Sequence, residues 1–327
     1  MVDSGIDAGI LDTFCGHGGR VDAARAAFGG ADWIDLSTGI APWSWPVDGL
    51  SLGLERLPEP GAIAALEACA AAAFGADPAG VVAVPGTDLA MRVLAPLLGA
   101  RRAAVLAPGY AGHRAAWPDA VAVADVGEVA DHDLFVLASP ANPDGRVADP
   151  AVLRGLAARM MVVVDEAYAD PAVGLCGEAS DGLIVLRSFG KFYGLPGLRL
   201  GFVVTGPGLA GRLRAMLGDW PVSSPAVAIG TAAYGDGDWR AAQAGRIAEA
   251  GAQLDAVLDG AGLAVVGRAP LFRLVGCERA IELFAVFARH AILTRPFAGR
   301  PDRLRIGLPR GTVEQTRLAA ALAEFRT

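Results

Sequence analysis

The chain has 327 residues, 53% hydrophobic and 19% charged, with a formal net charge of −7. That balance favours a packed globular core over a disordered chain and argues against nucleic acid, which would need a basic face. Mean hydropathy is +0.41, but alanine inflates it, and the most apolar run, 62–74, contains Glu67 and falls well short of the roughly 20 residues of a membrane span.

The N-terminus has no basic region followed by a long apolar stretch, so no secretory signal is expected. Cys15, Cys69, Cys176 and Cys277 stand apart without a CxxC pair, which fits free thiols in a reducing cytoplasm and no zinc site. The first 50 residues read as irregular, with Asp35–Gly39 followed by a Pro- and Trp-rich stretch at 41–46. Such a segment makes no core by itself and is expected to lie over other parts of the chain. Residues 59–74 predict a helix, with Pro60 and Gly61 at its start and Gly75 at its stop.

From Val81 onward, apolar strand-like runs alternate with helical ones. Strands are expected at 81–84, 103–106, 121–124, 134–138, 160–164 and 183–186, with helices at 89–98 and 152–158. Continuous apolar strands separated by helices predict a mostly parallel sheet covered on both faces. Beyond Gly206, helices are expected at 209–217, 225–258 (broken around 235–238), 281–290 and 313–325, with strands at 263–266, 271–274, 291–294 and 304–306. The expected division is an N-terminal segment, 1–48, a large α/β domain, 49–206, and a smaller α/β domain, 207–327.

The stretch 185–202, VLRSFGKFYGLPGLRLGF, holds the only lysine: the 28 Lys plus Arg are one Lys, Lys191, and 27 Arg. An arginine, with a pKa above ~12, stays protonated and is no nucleophile. A lysine amine that is buried or set beside another cation loses its proton and can form a Schiff base. The count by itself fits compositional drift toward Arg equally well, so the surroundings decide. In open α/β sheets, ligands lie outside the carboxyl ends of the strands. Those ends carry Gly86-Thr87-Asp88, Gly109-Tyr110, Asn142, Asp165 with Tyr168, and Ser188 with Lys191. Gly86-Thr87-Asp88 is either a phosphate cradle of backbone N–H groups or an ordinary helix cap. Tyr110 stacks on a flat ring or packs at a rim, Asn142 meets a ligand or holds a turn, and Asp165 serves a site or a cap. Together they supply the parts pyridoxal phosphate needs: an amine, a carboxylate for the pyridinium nitrogen, an anion site and a partner for the ring oxygen.

These motifs, SPANPDG around Asn142, DEAY at Asp165–Tyr168, the stretch 188–201 and Gly86-Thr87-Asp88, resemble the fold-type I pyridoxal-phosphate-dependent aminotransferase superfamily over nearly the whole chain. The resemblance implies that superfamily's α/β fold, a mostly parallel central sheet in a large domain plus a smaller α/β domain, in a cytoplasmic homodimer. It implies that Lys191 attaches the cofactor and Asp165 pairs with the pyridinium nitrogen. Asn142 and Tyr168 then bond the ring oxygen, Tyr110 stacks on the ring, and Thr87, Asp88, Ser188 and Arg199 hold the phosphate.

Within the superfamily, His17-Gly18-Gly19, DLSTGIAP at 35–42, LERLPEP at 54–60, ILTRPF at 292–297 and RLRIGLP at 303–309 look like the threonine-phosphate decarboxylase branch of cobalamin biosynthesis, close to histidinol-phosphate aminotransferases. Two positions depart from pattern: Ala41 stands where the branch carries Asn, and Leu57 where the aminotransferases carry a Tyr reaching the partner subunit's cofactor phosphate. The branch implies decarboxylation of L-threonine O-3-phosphate to (R)-1-aminopropan-2-yl phosphate. Arg305 then binds the substrate carboxylate, Arg295 and His17 lie near its phosphate, and Gly39 approaches through its backbone; His17 before two glycines can equally cap a turn. Decarboxylation and transamination of histidinol phosphate or a similar phosphorylated amine differ only in which Cα bond stands perpendicular to the ring. Residue spacing does not fix that, so an aminotransferase remains the other reading. An inactive cofactor-binding module is disfavoured by the presence of both Lys191 and Asp165. No metal, nucleic-acid or membrane partner is expected.

Overall fold

A computed structural model describes residues 7–326. Two compact units form, one from residues 44–242 and the other from residues up to Trp43 with those from Gln243 onward.

The chain opens in the second of these with α1 (Ala8–Cys15), α2 (Val21–Phe28) and β1 (Ile34–Asp35). The two helices correct the irregular reading of this segment. At 8 residues each they are too short to stand on propensity. Asp7 caps α1 by accepting the Gly9 N–H at 2.8 Å. Tertiary burial of Phe14 and Ala24 holds both, with the Phe14 and Phe28 rings 5.6 and 6.2 Å from Phe284.

The 44–242 unit then runs α3 (Pro60–Phe74), β2 (Val81–Val84), α4 (Thr87–Leu98), β3 (Ala103–Leu106), α5 (Ala111–Ala116), β4 (Val121–Val123), β5 (Leu134–Ala138), α6 (Pro150–Ala157), β6 (Met161–Asp165), β7 (Leu183–Ser188), α7 (Phe189–Phe192), β8 (Gly201–Val204), α8 (Pro207–Leu217) and α9 (Ser224–Gly235). Pro60 sits in the first turn of α3, and Gly75, in the left-handed region at φ 65°, stops it. Seven strands form one sheet in the order β2-β8-β7-β6-β5-β3-β4. Every neighbouring pair is parallel except those of β8, which is antiparallel to β2 and β7. Burial on both faces explains why β2 and β5 are unbroken apolar runs and do not alternate. The reversal of β8 matters for the site. Gly201, where β8 begins, pairs with Val84 and with Ser188, so the turn before it shares an edge with the carboxyl ends of β2 and β7. The outer edge of β2 is covered: the Ala83 N–H donates to Glu67 Oε1 at 2.9 Å, and Arg214 donates to the Val81 carbonyl at 2.6 Å.

The unit boundary falls at 242/243, inside α10 (Gly237–Gly260), where the sequence suggested 206/207. Leu209, Ala210 and Leu213 of α8 share a core with Val82 and Val203, so the apolar face of α8 stays with the large sheet. The remaining elements are β9 (Ala264–Ala269), β10 (Phe272–Gly276), α11 (Ala280–Arg289), β11 (Ile292–Leu293), β12 (Arg295–Pro296), β13 (Arg303–Gly307) and α12 (Thr312–Arg326). Strands β12-β13-β10-β9 make an antiparallel sheet, and β1 pairs in parallel with β11. Among the described residues no helix is long and apolar enough to cross a membrane.

Candidate active site

A cavity of about 200 Å³ opens at the carboxyl ends of the large sheet. Thr87, Asp88, Tyr110, Asn142, Asp165, Tyr168, Ser188, Lys191 and Arg199 all line it. Every residue that the resemblance assigned to the cofactor therefore meets in one place.

The lysine turn is anchored by aromatic packing. α7 is a single turn of 4 residues, so its position comes from burial of Phe189, Phe192 and Tyr193. Tyr193 lies between Phe189 and Trp239, with ring centroids at 4.3 and 5.6 Å and planes within 8° of parallel. Lys191 Nζ stands 5.4 Å from the centre of the Tyr168 ring.

Asp165 ends β6 and is 6% exposed. Its Oδ1 accepts the Ala167 N–H at 3.1 Å. Its Oδ2 lies 3.2 Å from Nε2 of His113, itself 1% exposed. A carboxylate only accepts, so the geometry calls for the imidazole tautomer that carries its proton on Nε2. His113 was not singled out in the sequence. It sits inside α5, away from any strand end; the available signal was its place three residues after Tyr110, whose ring it meets edge-on at 5.6 Å. Tyr110 in turn donates its hydroxyl to Asp88 Oδ1 at 3.1 Å. Burial and the Asp88 charge push the Tyr110 phenol well above its ordinary range, so it stays a donor. Asp88 Oδ2 also accepts from Arg92 Nε at 3.3 Å. The Asp88 side chain thus fixes Tyr110, and toward an anion this residue can offer only its backbone N–H.

Beside it the start of α4 approaches an arginine closely. Gly86 precedes α4 at φ 91°, and a Cβ there would lie 2.6 Å from Arg199 Nη2. A Cβ at Gly201 would meet the Thr87 N at 3.1 Å. The two glycines let the N-terminus of α4, with its unsatisfied N–H groups, close up on the Arg199 guanidinium. Arg199 itself adopts φ 55°, a left-handed conformation that is costly for a residue with a Cβ. A pyridine ring with an aldehyde and a phosphate fits this donor set: an amine, a buried carboxylate, an aromatic face and a cationic helix N-terminus.

Beneath the cavity, on the opposite face of the strand ends, Arg187 is 1% exposed. It donates to Glu166 Oε2 at 3.0 Å, Asp170 Oδ1 at 2.5 Å and the Ala172 carbonyl at 2.9 Å. Burial raises the Glu166 carboxyl, and Arg187 opposes that rise.

The substrate candidates His17, Gly39, Arg295 and Arg305 all lie in the other unit. Their segments converge there. Arg295 and Arg305 face each other across β12 and β13, Arg295 Nη2 donates to the Gly16 carbonyl at 2.6 Å, and Arg305 Nη2 to the Ser37 carbonyl at 2.6 Å. Gly39 is buried at φ 62° and His17 is exposed. Of the two departures from pattern, Ala41 is 3% exposed and Leu57 is 63% exposed. Leu57 lines an apolar groove with Leu52, Ala62, Ala65 and Val227. Among the described residues no cluster of His, Cys, Asp or Glu could hold a metal ion.

The family model for aminotransferase class I and II matches residues 119–322. A threonine-phosphate decarboxylase from a Sinorhizobium species is 40% identical over 94% of this chain and 98% of its own. One from Pseudomonas aeruginosa is 36% identical over 95% and 98%. In fold, a histidinol-phosphate aminotransferase from Sinorhizobium meliloti, solved in complex with pyridoxal-5'-phosphate, matches with a TM-score of 0.81 at 23% identity over 93% of this chain and 94% of its own.

Proposed function

We infer the reaction from the premise that this chain belongs to the aminotransferase class I and II family, with threonine-phosphate decarboxylases as relatives over almost its full length. It is a pyridoxal-phosphate-dependent decarboxylase that releases CO₂ from L-threonine O-3-phosphate, leaving (R)-1-aminopropan-2-yl phosphate, a step of cobalamin biosynthesis. One observation carries the reading: the only lysine of the chain, Lys191, lines the same cavity as Asp165, Tyr168 and Arg199.

When bound, pyridoxal phosphate supplies an electron sink for the pair left as the bond from Cα to the carboxylate breaks. The rest is the work of side chains. Lys191 would hold the cofactor through its amine, and that amine is the group placed to move a proton at Cα. Asp165 would face the ring nitrogen and hold a proton there. Asn142 and Tyr168 would hold the ring oxygen, and Tyr110 would pack against the ring. Thr87, Asp88 through its N–H, Ser188 and Arg199 would hold the cofactor phosphate. Arg305 takes the substrate carboxylate in a bidentate fork, Arg295 and His17 the substrate phosphate, and Gly39 offers backbone. The active form is a cytoplasmic homodimer, with the groove at Leu57 as part of its contact.

Borohydride treatment followed by peptide mass spectrometry tests the attachment: a stable adduct at Lys191 is expected, and none in Lys191→Ala. The reaction is tested with L-threonine O-3-phosphate alone, which is expected to release CO₂ with no 2-oxo acid present. Turnover that requires 2-oxoglutarate would establish a transaminase instead.

A further inference from the structure

We propose that Ser37 is a positioning residue that sets an anion clamp built from Arg305, Arg295 and the His17-Gly18-Gly19 turn. The proposal rests on the reading that these arginines take the two anionic ends of a phosphorylated amino acid. It names the residue that holds them in place.

Ser37 is 1% exposed and uses every polar atom it has. Its hydroxyl donates to Asp35 Oδ1 at 2.5 Å and accepts the Gly19 N–H at 2.8 Å. Its own N–H donates to the same Asp35 oxygen at 2.8 Å. Its carbonyl accepts from Arg305 Nη2 at 2.6 Å. The segment around it is fixed on both sides, since the Leu36 N–H donates to the Leu293 carbonyl at 2.8 Å and the Gly307 N–H to the Leu36 carbonyl at 2.7 Å. One short stretch therefore ties the glycine turn to β13.

Two further features make this a clamp and more than a packing contact. A Cβ at Gly18 would lie 2.5 Å from the Ser37 carbonyl oxygen, so the turn can approach only because that residue is glycine. Arg295 and Arg305 are cross-strand partners, and like charges directly opposite each other destabilise a strand pair. The two anionic ends of the substrate, one at each arginine, would offset that repulsion, and the carbonyls of Gly16 and Ser37 orient one guanidinium edge each. Asp35 acts one step back. Its carboxylate fixes the Ser37 hydroxyl, which fixes the Gly19 N–H and so the turn bearing His17.

The test uses the full chain with its cofactor, and the variants Ser37→Ala, Asp35→Ala and the double replacement. Calorimetric binding of L-threonine O-3-phosphate and of inorganic phosphate is measured beside kcat, KM, cofactor affinity and melting temperature. Each single variant is expected to weaken binding and raise KM about tenfold, the order of effect expected when a hydrogen-bonded carboxylate relay is broken, with kcat and cofactor affinity nearly unchanged. The double variant is expected to lose little more than the worse single one, because both act through one relay. Unchanged KM, additive losses, or a fall in kcat and cofactor affinity at constant KM would overturn the proposal. If Ser37→Ala does not fold, the exposed Asp35→Ala decides alone. Failure of the unaltered chain to bind either anion overturns the clamp, whereas binding without CO₂ release overturns only the decarboxylation reading, and the variants are then compared by binding.

Discussion

The imidazole of His113 and the carboxylate of Asp165 meet at 3.2 Å, Nε2 to Oδ2, with both side chains at most 8% exposed. A hydrogen bond to an ionised carboxylate favours its charged form, and in a buried site that preference is felt strongly. If Asp165 faces the cofactor's ring nitrogen as proposed, removing the donor weakens its hold there. His113→Phe, which keeps the Tyr110 ring packed, is expected to bind the cofactor and lose kcat about tenfold, as the loss of one hydrogen bond to a buried carboxylate does. Steady-state kinetics and the pH titration of cofactor absorbance check this. A variant with unchanged kcat and titration would remove His113 from the machinery.

Arg199 carries a strained backbone at φ 55°. Glycine relieves that strain while deleting the guanidinium beside Gly86. Arg199→Gly is therefore expected to melt no lower than the unaltered chain without cofactor, and to need at least tenfold more pyridoxal phosphate for half-saturation, since a charge-assisted hydrogen bond to phosphate contributes about 1.5–3 kcal/mol. Arg199→Lys, which keeps charge and strain, should fall between. Equal cofactor affinity in all three would place the phosphate elsewhere.

The contrast between Arg199 and His113 shows how much of the site could be read from residue order. Asp165 ends an apolar strand and Lys191 follows another, so the open ends of the sheet announce them. Arg199 precedes a strand and would lie at the wrong edge in an all-parallel sheet. It joins the site because β8 runs backward, which apolar content does not reveal. His113 lies mid-helix in α5, and Ser37 in an irregular stretch, where only tertiary contact says what either side chain meets. The same holds for α1 and α2, which form because Phe14 and Phe28 reach Phe284, a partner more than 250 residues away by (284 − 28).

Asp255 accepts from Arg273 Nε and Nη2 at 2.7 and 2.9 Å. Those hydrogen bonds hold its carboxyl below the ordinary carboxylate range. A depressed folded-state value means stability that is fully present above the unfolded pKa of about 3.9 and is lost as pH falls through the folded one. Asp255→Asn is expected to be less stable than the unaltered chain at pH 7, with the gap closing as pH drops below about 4. Urea unfolding across that range checks it. A gap that stays constant with pH would mean the pair contributes through packing alone.

Leu54 and Leu57 are 77% and 63% exposed, and Leu57 borders the apolar groove that reaches Ala65 and Val227. The proposed homodimer would bury these side chains. In a homodimer, Leu54→Asp with Leu57→Asp is expected to shift the mass measured by light scattering from two chains to one. Cofactor content should be retained in the monomer, since the cavity lining belongs to the 44–242 unit. A mass that stays at two would place the dimer contact on another face, and a single-chain mass before substitution would exclude a homodimer.

Arg187 joins the strand that ends in Asp165 to the strand that leads into Lys191, from the face away from the cavity. Its buried guanidinium carries Glu166 at 3.0 Å and Asp170 at 2.5 Å. Glu166 follows Asp165 and Arg187 precedes Ser188, so strand alternation places the ion network and the site on opposite faces of the same two strand ends. Arg187→Met leaves two carboxylates buried without their cation, at a cost of about 3–5 kcal/mol. The main opposition to burial at Glu166 is then lost, leaving the Leu175 N–H, and its carboxyl is expected to rise further. Adding Glu166→Gln and Asp170→Asn removes the uncompensated charge and is expected to recover most of the stability, because a buried ion pair and a neutral replacement of similar volume are often equivalent. Activity is expected to recover less, since the fork that fixed the two strand ends is gone. Urea unfolding and kcat on the single and triple variants separate the two effects. Stability and kcat that recover in proportion would show the network to be structural only.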